Sequence, residues 1–353
     1  MARETDRIPD PDGETPSDIR TMEDFASYVG LSRPTVSKYF NNPGSVRSKT
    51  RARIERAVEQ SGFRPNLFAT NLKRRRTRVL GVIIPNTTDP FYMELTRRIE
   101  DIAQDAGYFP FVLSSNGDSD LETEAIGRLQ SLSVAGAIVV PLGATRSNAD
   151  LARLEARIPL VYVDSSPDHD MPFVGTDNVQ TFHLIVDYLC RSGTAPAYLG
   201  MPDINRNAGA RRDAYAAAMS AFREPARFID IPPETTWEFE RVGHESMTAA
   251  LSRPAFPRTV LCANDRIAFG ALLAAWEAGL KVGHGDDADI RIAGHDDHPL
   301  SRYSCPPLTT VAQNYGEIAR VAMQKLIRRL EGREETGERH MLLRGDLILR
   351  RSA

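Results

Sequence analysis

Residues 21–44 read TMEDFASYVGLSRPTVSKYFNNPG, two short amphipathic stretches with a glycine between them. Thr21 suits a helix cap, with Asp24 placed to complete a capping box, and Met22, Phe25, Ala26 and Val29 recur at helical spacing. Gly30 ends that helix, and after the short turn Gly30-Leu31-Ser32 the serine suits the cap of a second one. Val36, Tyr39 and Phe40 fall on one side of the second helix; Arg33, Pro34, Ser37 and Lys38 fall on the other. Asn41-Asn42-Pro43-Gly44 is turn chemistry, and a third helix follows with Ile54, Ala57 and Val58 inward and Gly62 closing it. Two short helices about a tight turn with a third packed behind make an all-α helix-turn-helix headpiece. Its second helix should enter a major groove, where Arg33 and Lys38 can donate to guanine O6 and N7. Thr35 and Ser37 suit phosphates or base edges, while Pro34 offers only apolar contact.

Charge supports the same partner. The whole chain of 353 residues carries a formal net charge of -3 at pH 7. Residues 20–78, however, hold 14 Lys and Arg against 4 Asp and Glu, whereas residues 79–353 hold 28 against 37. A basic module on an acidic body implies a polyanion, here double-stranded DNA, as the partner of the first part only. Residues 1–19 combine four Pro or Gly with six acids, so they bury too little to offset their ordering entropy, and a disordered tail is expected.

Beyond the headpiece, apolar runs alternate with amphipathic helical stretches, which is the pattern of parallel sheets covered by helices. Strands are expected at 79–84, 108–113, 137–140, 160–163, 197–199, 259–261 and 290–293, with later ones at 341–343 and 347–349. Helices are expected at 92–106, 182–191, 210–222, 267–278 and 315–331. Two doubly wound parallel sheets side by side fit this length, with a ligand cleft at the strand C-termini. Polar residues gather there: Asn86 to Phe91 after the first strand, Asp164, Asn264-Asp265 and Asp296-Asp297 after later ones. Asp177 and Asp265 suit helix caps equally well. With no apolar run near the roughly 20 residues of a membrane helix, and no secretory leader, a cytoplasmic, nucleoid-associated protein is expected. Cys190, Cys262 and Cys305 are too few and too irregular for a disulfide framework or a zinc knuckle.

The stretch from Thr21 to Thr77, with Val36-Ser37-Lys38, Asn41-Asn42-Pro43-Gly44 and Arg64-Pro65-Asn66 as landmarks, resembles the headpiece and hinge of the lactose-repressor (LacI/GalR-type) family. The resemblance extends over the rest of the chain, whose core would be like periplasmic sugar-binding proteins. After the tail (1–19), it implies a helix-turn-helix domain (20–64), a hinge helix and linker (65–77) and an effector-binding and dimerisation core (78–353). The two expected subdomains are 78–177 with 309–335 and 178–308 with 336–353. DNA contacts are expected from Thr21, Ser32, Arg33, Pro34, Thr35, Ser37, Lys38, Asn41, Asn66, Leu72 and Lys73, with Leu72 as the minor-groove wedge. A hinge helix of under two turns is unstable alone and would fold against DNA and a partner hinge. Effector contact carries over to Asp164, Arg211, Asn264 and Asp296, with Phe91 as an aromatic wall, Gln313 near the opening and Trp237 or Phe239 as second aromatic. Carboxylates that accept from hydroxyls, an Arg able to fork across a diol and aromatics suit a sugar or polyol, and a nucleobase or nucleoside nearly as well.

The chain departs from the family pattern at four places. Lys38 replaces a usual Arg, Arg47 stands where the third helix usually has a Ser cap, for which Ser45 or Ser48 is the substitute, Ala214 replaces a Gly, and His295 replaces the usual aromatic before Asp296-Asp297. His295-Asp296-Asp297-His298 suggests a metal, but neighbours on one turn rarely converge on an ion, so neither metal nor cofactor is expected. No nucleophile elbow, phosphate-binding glycine loop or paired catalytic carboxylates appear, so no enzyme is expected. A cytoplasmic solute-binding protein without a regulatory role is the rival from another class. The leading expectation is a homodimeric, sequence-specific transcriptional repressor that binds a near-palindromic operator under small-molecule control.

Overall fold

The structure, a computed structural model, describes residues 19–65, 77–143, 145–165, 171–333 and 337–353. It divides into two compact units, Met1–Thr77 and Arg78–Ala353. Asn66, Leu72, Lys73 and all of the expected tail but its last residue lie outside the described residues, as does the side chain of Asn41.

In the first unit, α1 (Met22–Val29), α2 (Arg33–Asn41) and α3 (Ser48–Ser61) follow one another, with a single 3-10 turn at Pro43–Ser45. Phe25, Val29, Val36, Ile54 and Ala57 are fully buried between them, and the Phe25 ring stacks on Phe63 at 4.5 Å. Thr21 Oγ1 accepts from Asp24 N at 3.1 Å while Thr21 N donates to Asp24 Oδ2 at 2.8 Å, a complete capping box. Gly30 and Gly62 end α1 and α3 in left-handed backbone, each with φ 64. Two caps differ from expectation. Ser32 Oγ pairs with Thr35 Oγ1 instead of a backbone amide. Neither Ser45 nor Ser48 caps α3; Arg47 occupies that position without a side-chain bond, and Ser45 Oγ donates to Asn42 O at 2.6 Å.

The second unit holds two parallel sheets. The larger orders its strands β11-β5-β4-β3-β1-β2, from β1 (Val79–Ile84), β2 (Phe109–Ser114), β3 (Gly136–Val139), β4 (Leu160–Val163), β5 (Phe173–Thr176) and β11 (His340–Leu343). Alternate residues of β1 serve opposite faces. Leu80, Val82 and Ile84 meet α4 (Pro90–Asp105) and α11 (Tyr315–Leu330), whereas Val79 and Ile83 meet α5 (Ser119–Ser131) and α6 (Thr145–Glu155). The smaller sheet runs β7-β6-β8-β9, from β6 (Ala197–Leu199), β7 (Phe228–Ile229), β8 (Thr259–Cys262) and β9 (Arg291–Ala293). Around it pack α7 (Asn178–Ser192), α8 (Arg206–Ala221), α9 (Phe239–Leu251) and α10 (Asp265–Glu277). α9 and α10 touch backbone to backbone, since a Cβ on Gly270 would lie 2.0 Å from Glu240 O and one on Gly243 2.1 Å from Ile267 O.

Two connections depart from the expected division of the chain. β11 returns to the first sheet beside β5, so residues 340–343 do not join the second lobe. β10 (Thr310–Ala312) pairs antiparallel with β12 (Asp346–Ile348) in a separate ribbon instead of entering the first sheet.

Candidate functional site

In the headpiece, Val36 is buried, Pro34 and Lys38 are exposed, and Arg33, Thr35 and Ser37 are half-buried. Arg33 is held by Glu23 of α1, Nε to Oε1 at 2.5 Å. An ion pair that open to water contributes little, so Arg33 can exchange Glu23 for a base or phosphate. Thr21 lies in the capping box, its Oγ1 accepting from Asp24 N, which leaves its hydroxyl proton able to donate.

The cleft of the second unit gathers all seven expected effector residues in one pocket: Phe91, Asp164, Arg211, Trp237, Asn264, Asp296 and Gln313. Asp89, Tyr92, Met201, Asn205, Asn207 and Phe239 complete its lining. Trp237 and Phe239, offered as alternatives on sequence, both face it. The free space between these side chains is only about 30 Å³, roughly one water molecule.

The helix expected over 210–222 starts earlier, so Arg211 lies not at its beginning but in the second turn of α8, which Asn205 caps by accepting from Asn207 N. From there it reaches across the second lobe, Nη1 donating to Ala263 O at 2.8 Å and Nη2 to Asp296 Oδ1 at 2.9 Å. Gln313 Nε2 donates to the same Oδ1 at 2.6 Å, and His295 Nδ1 stands 2.9 Å from it. Burial pushes the Asp296 carboxyl up, but Arg211, His295 and Gln313 together hold it below the usual carboxylate range. Asp296 therefore stays ionised, and its Oδ2 is the oxygen left for a ligand.

Asp164 sits at φ 62, left-handed backbone that a non-glycine residue adopts at a cost, and its Oδ2 accepts from Tyr92 at 3.0 Å. Burial pushes its carboxyl up to about 6, although Arg211 and the Tyr92 hydroxyl act the other way. Asn264, not Asp265, caps α10 by accepting from Ile267 N at 2.8 Å. Asp265 lies beneath, accepting from Thr310 Oγ1 and Ser301 Oγ, and burial pushes it up to about 8. Asp177 does cap α7, accepting from Gln180 N.

The two lobes also hold each other directly. Arg266 of α10 donates from Nη1 to Asp89 Oδ2 of the first lobe at 3.0 Å, while Glu240 takes its Nε and Nη2 at 2.7 Å each. The Trp237 ring contacts Tyr92 of the first lobe at 6.1 Å and presses on Gly117, where a Cβ would lie 1.9 Å from Nε1. Sequence reading missed Arg266, because the pair spans 177 residues and nothing local announces it. Asn205 and Asn207 could have been found from the Asn-Arg-Asn start of a helix just past a strand end. The His-Asp-Asp-His stretch does not converge: His298 Nδ1 accepts from Leu300 N and its ring meets Phe269 edge-on at 5.1 Å. Among the described residues no helix is long and apolar enough to cross a membrane.

Comparison with known proteins brings the two units together. Residues 21–66 match the description "Bacterial regulatory proteins, lacI family", and residues 186–353 match "Periplasmic binding protein-like domain". The ribose operon repressor of Escherichia coli (strain K12) is 30% identical over 88% of this chain and 93% of its own length. The chain belongs to the lacI family of bacterial regulatory proteins. It is accordingly a DNA-binding transcriptional regulator, not an enzyme. A second lacI-family relative, the HTH-type transcriptional repressor CytR of the same strain, is 30% identical over 94% of this chain and 96% of its own. Among solved structures, a lac repressor dimer bound to operator and the anti-inducer ONPF aligns with TM-score 0.81 at 26% identity, covering 94% of this chain and 98% of that one.

Proposed function

We propose that the protein is a homodimeric operator-binding repressor whose cleft takes a neutral pentose of the ribose type. The observation that carries this reading is the pocket itself: Asp164, Asp296 and Arg211 stand among amides and aromatics contributed by both lobes. Ionised carboxylates accept from sugar hydroxyls, the guanidinium forks across neighbouring ones, and Phe91, Trp237 and Phe239 cover apolar ring faces. The E. coli relative named for the ribose operon favours the same class.

A near-palindromic operator follows from two copies of α2, with base contact proposed for Arg33 and Lys38 and backbone contact for Ser32, Thr35 and Ser37. The remaining DNA contacts, Thr21, Pro34, Asn41, Asn66, Leu72 and Lys73, are proposed from the family resemblance. The test of effector class is thermal shift and calorimetry with ribose, other pentoses, polyols and nucleosides. A ligand at about 100 times its Kd should stabilise the core by roughly 2.7 kcal/mol. Stabilisation by nucleosides but not by ribose would replace this reading with its neighbour.

Closure gives a kinetic prediction. Asp89 and Arg266 pair across the cleft, with side chains only 9% and 15% exposed. Arg266→Ala should speed ribose release by about tenfold with little change in association. Stopped-flow fluorescence in a Trp276→Phe background reads this, because Trp237 is then the sole tryptophan. An unchanged release rate would remove the pair from the closing mechanism.

A further inference from the structure

His295 occupies a position behind the pocket rather than in it. Its ring is fully buried and stacks on Phe182, with centroids 5.1 Å apart and planes at 17°. Nδ1 lies 2.9 Å from Asp296 Oδ1 and Nε2 lies 3.0 Å from Thr181 Oγ1. An ionised carboxylate only accepts, so Nδ1 must carry the proton, and a neutral ring then leaves Nε2 bare to accept from the Thr181 hydroxyl. Burial, then the nearby Arg211, holds the imidazole below its ordinary pKa, in keeping with one ring proton at neutral pH. The Asp296 carboxylate thereby selects the tautomer, and Thr181, whose hydroxyl also reaches Asn178 O at 3.2 Å, stands where it can donate to the bare Nε2.

We infer that His295 is a positioning residue for the effector: its ring is held between Phe182 and Thr181 so that Nδ1–H joins Arg211 and Gln313 on Asp296 Oδ1 and leaves Oδ2 as the single acceptor presented to a sugar hydroxyl. The inference rests on the proposed sugar site. Three donors from α8, the stretch after β9 and the residue after β10 converge on one oxygen, so the carboxylate can neither rotate nor share that oxygen with a ligand. An aromatic ring without a nitrogen at 295 could fill the same space on Phe182 but would leave Asp296 with two donors. The positioning is thus a property of histidine rather than of ring packing.

Two arms test it. In the ligand-free full-length protein labelled with ¹⁵N-histidine, and with the His295 signal assigned by its loss in His295→Asn, the ring should be neutral and protonated at Nδ1. An Nε2–H or doubly protonated ring at neutral pH would overturn the inference. With ribose as probe, His295→Phe should keep the stack and lose about tenfold in affinity, the worth of a hydrogen bond to a charged group. His295→Asn places an amide where Nδ1 was and should recover affinity to within about threefold of the parent. Equal affinity in His295→Phe, or an Asn variant as weak as the Phe one, would reduce His295 to packing. If His295→Phe fails to fold, Thr181→Val carries the affinity arm: it should weaken ribose in the same direction, and unchanged binding would contradict the inference. Should the parent protein itself ignore ribose, the sugar reading fails, and the tautomer measurement still decides the role of His295.

Discussion

Arg211→Ala is expected to abolish the response to ribose, lowering affinity at least about 100-fold, while operator affinity of the ligand-free protein stays within a few-fold of the parent. Arg211 is 5% exposed and binds the only pocket carboxylate held below its ordinary range. Removing it leaves Asp296 buried beside an empty space, and breaking such a pair costs about 3 kcal/mol or more. Part of that loss falls on the stability of the second lobe and part on the ligand, which loses both the guanidinium and an ionised partner. Arg211→Lys keeps the charge but not the fork, so it should sit between the two. Calorimetry with ribose and anisotropy on operator DNA separate the readings. Loss of DNA binding along with ligand binding would make Arg211 structural rather than effector-directed.

The second large effect concerns assembly. On the outer face of α10 and the stretch beyond β9, Leu273, Trp276, Leu300 and Tyr303 are 47%, 74%, 58% and 77% exposed and line one apolar groove. Large apolar side chains gathered in a patch mark an interface, and in the dimeric reading a second copy covers this one. Leu273→Asp should convert the protein to a 39.1 kDa monomer without unfolding it, because Leu273 is already half in water. Operator affinity should then fall by on the order of 100-fold or more, since two linked headpieces gain through effective concentration what one cannot. Sedimentation and anisotropy on one sample decide it. A dimer of undiminished affinity would place the interface elsewhere.

Much of this is legible in the sequence alone. The headpiece could be read because its three helices are each specified locally, by the Thr21–Asp24 box, by Gly30 and Gly62, and by apolar spacing. The core strands showed as apolar runs because both faces are covered, as the alternating partners of β1 illustrate. β5 escaped, since Phe173–Thr176 has only four residues and a glycine. That glycine makes room for the Phe173 ring, which a Cβ would meet at 2.4 Å. The pocket residues were found where they follow strand ends, as Asp164, Asn264 and Asp296 do. Asp89 with Arg266, and His295 with Thr181, were hidden because each pairing is made by the fold across 177 and 114 residues.

The central claim is that a solute in the cleft sets the grip of α2 on DNA. Binding of the full-length protein to a duplex selected from a random pool, followed by anisotropy with and without saturating ribose, tests it most directly. The affinity should fall steeply between about 50 and 200 mM salt, as phosphate contacts require. Ribose should change it by at least about fivefold in the parent and not in Arg211→Ala. A protein that selects no duplex at low salt, or one whose operator affinity no pentose, polyol or nucleoside alters, would contradict the account.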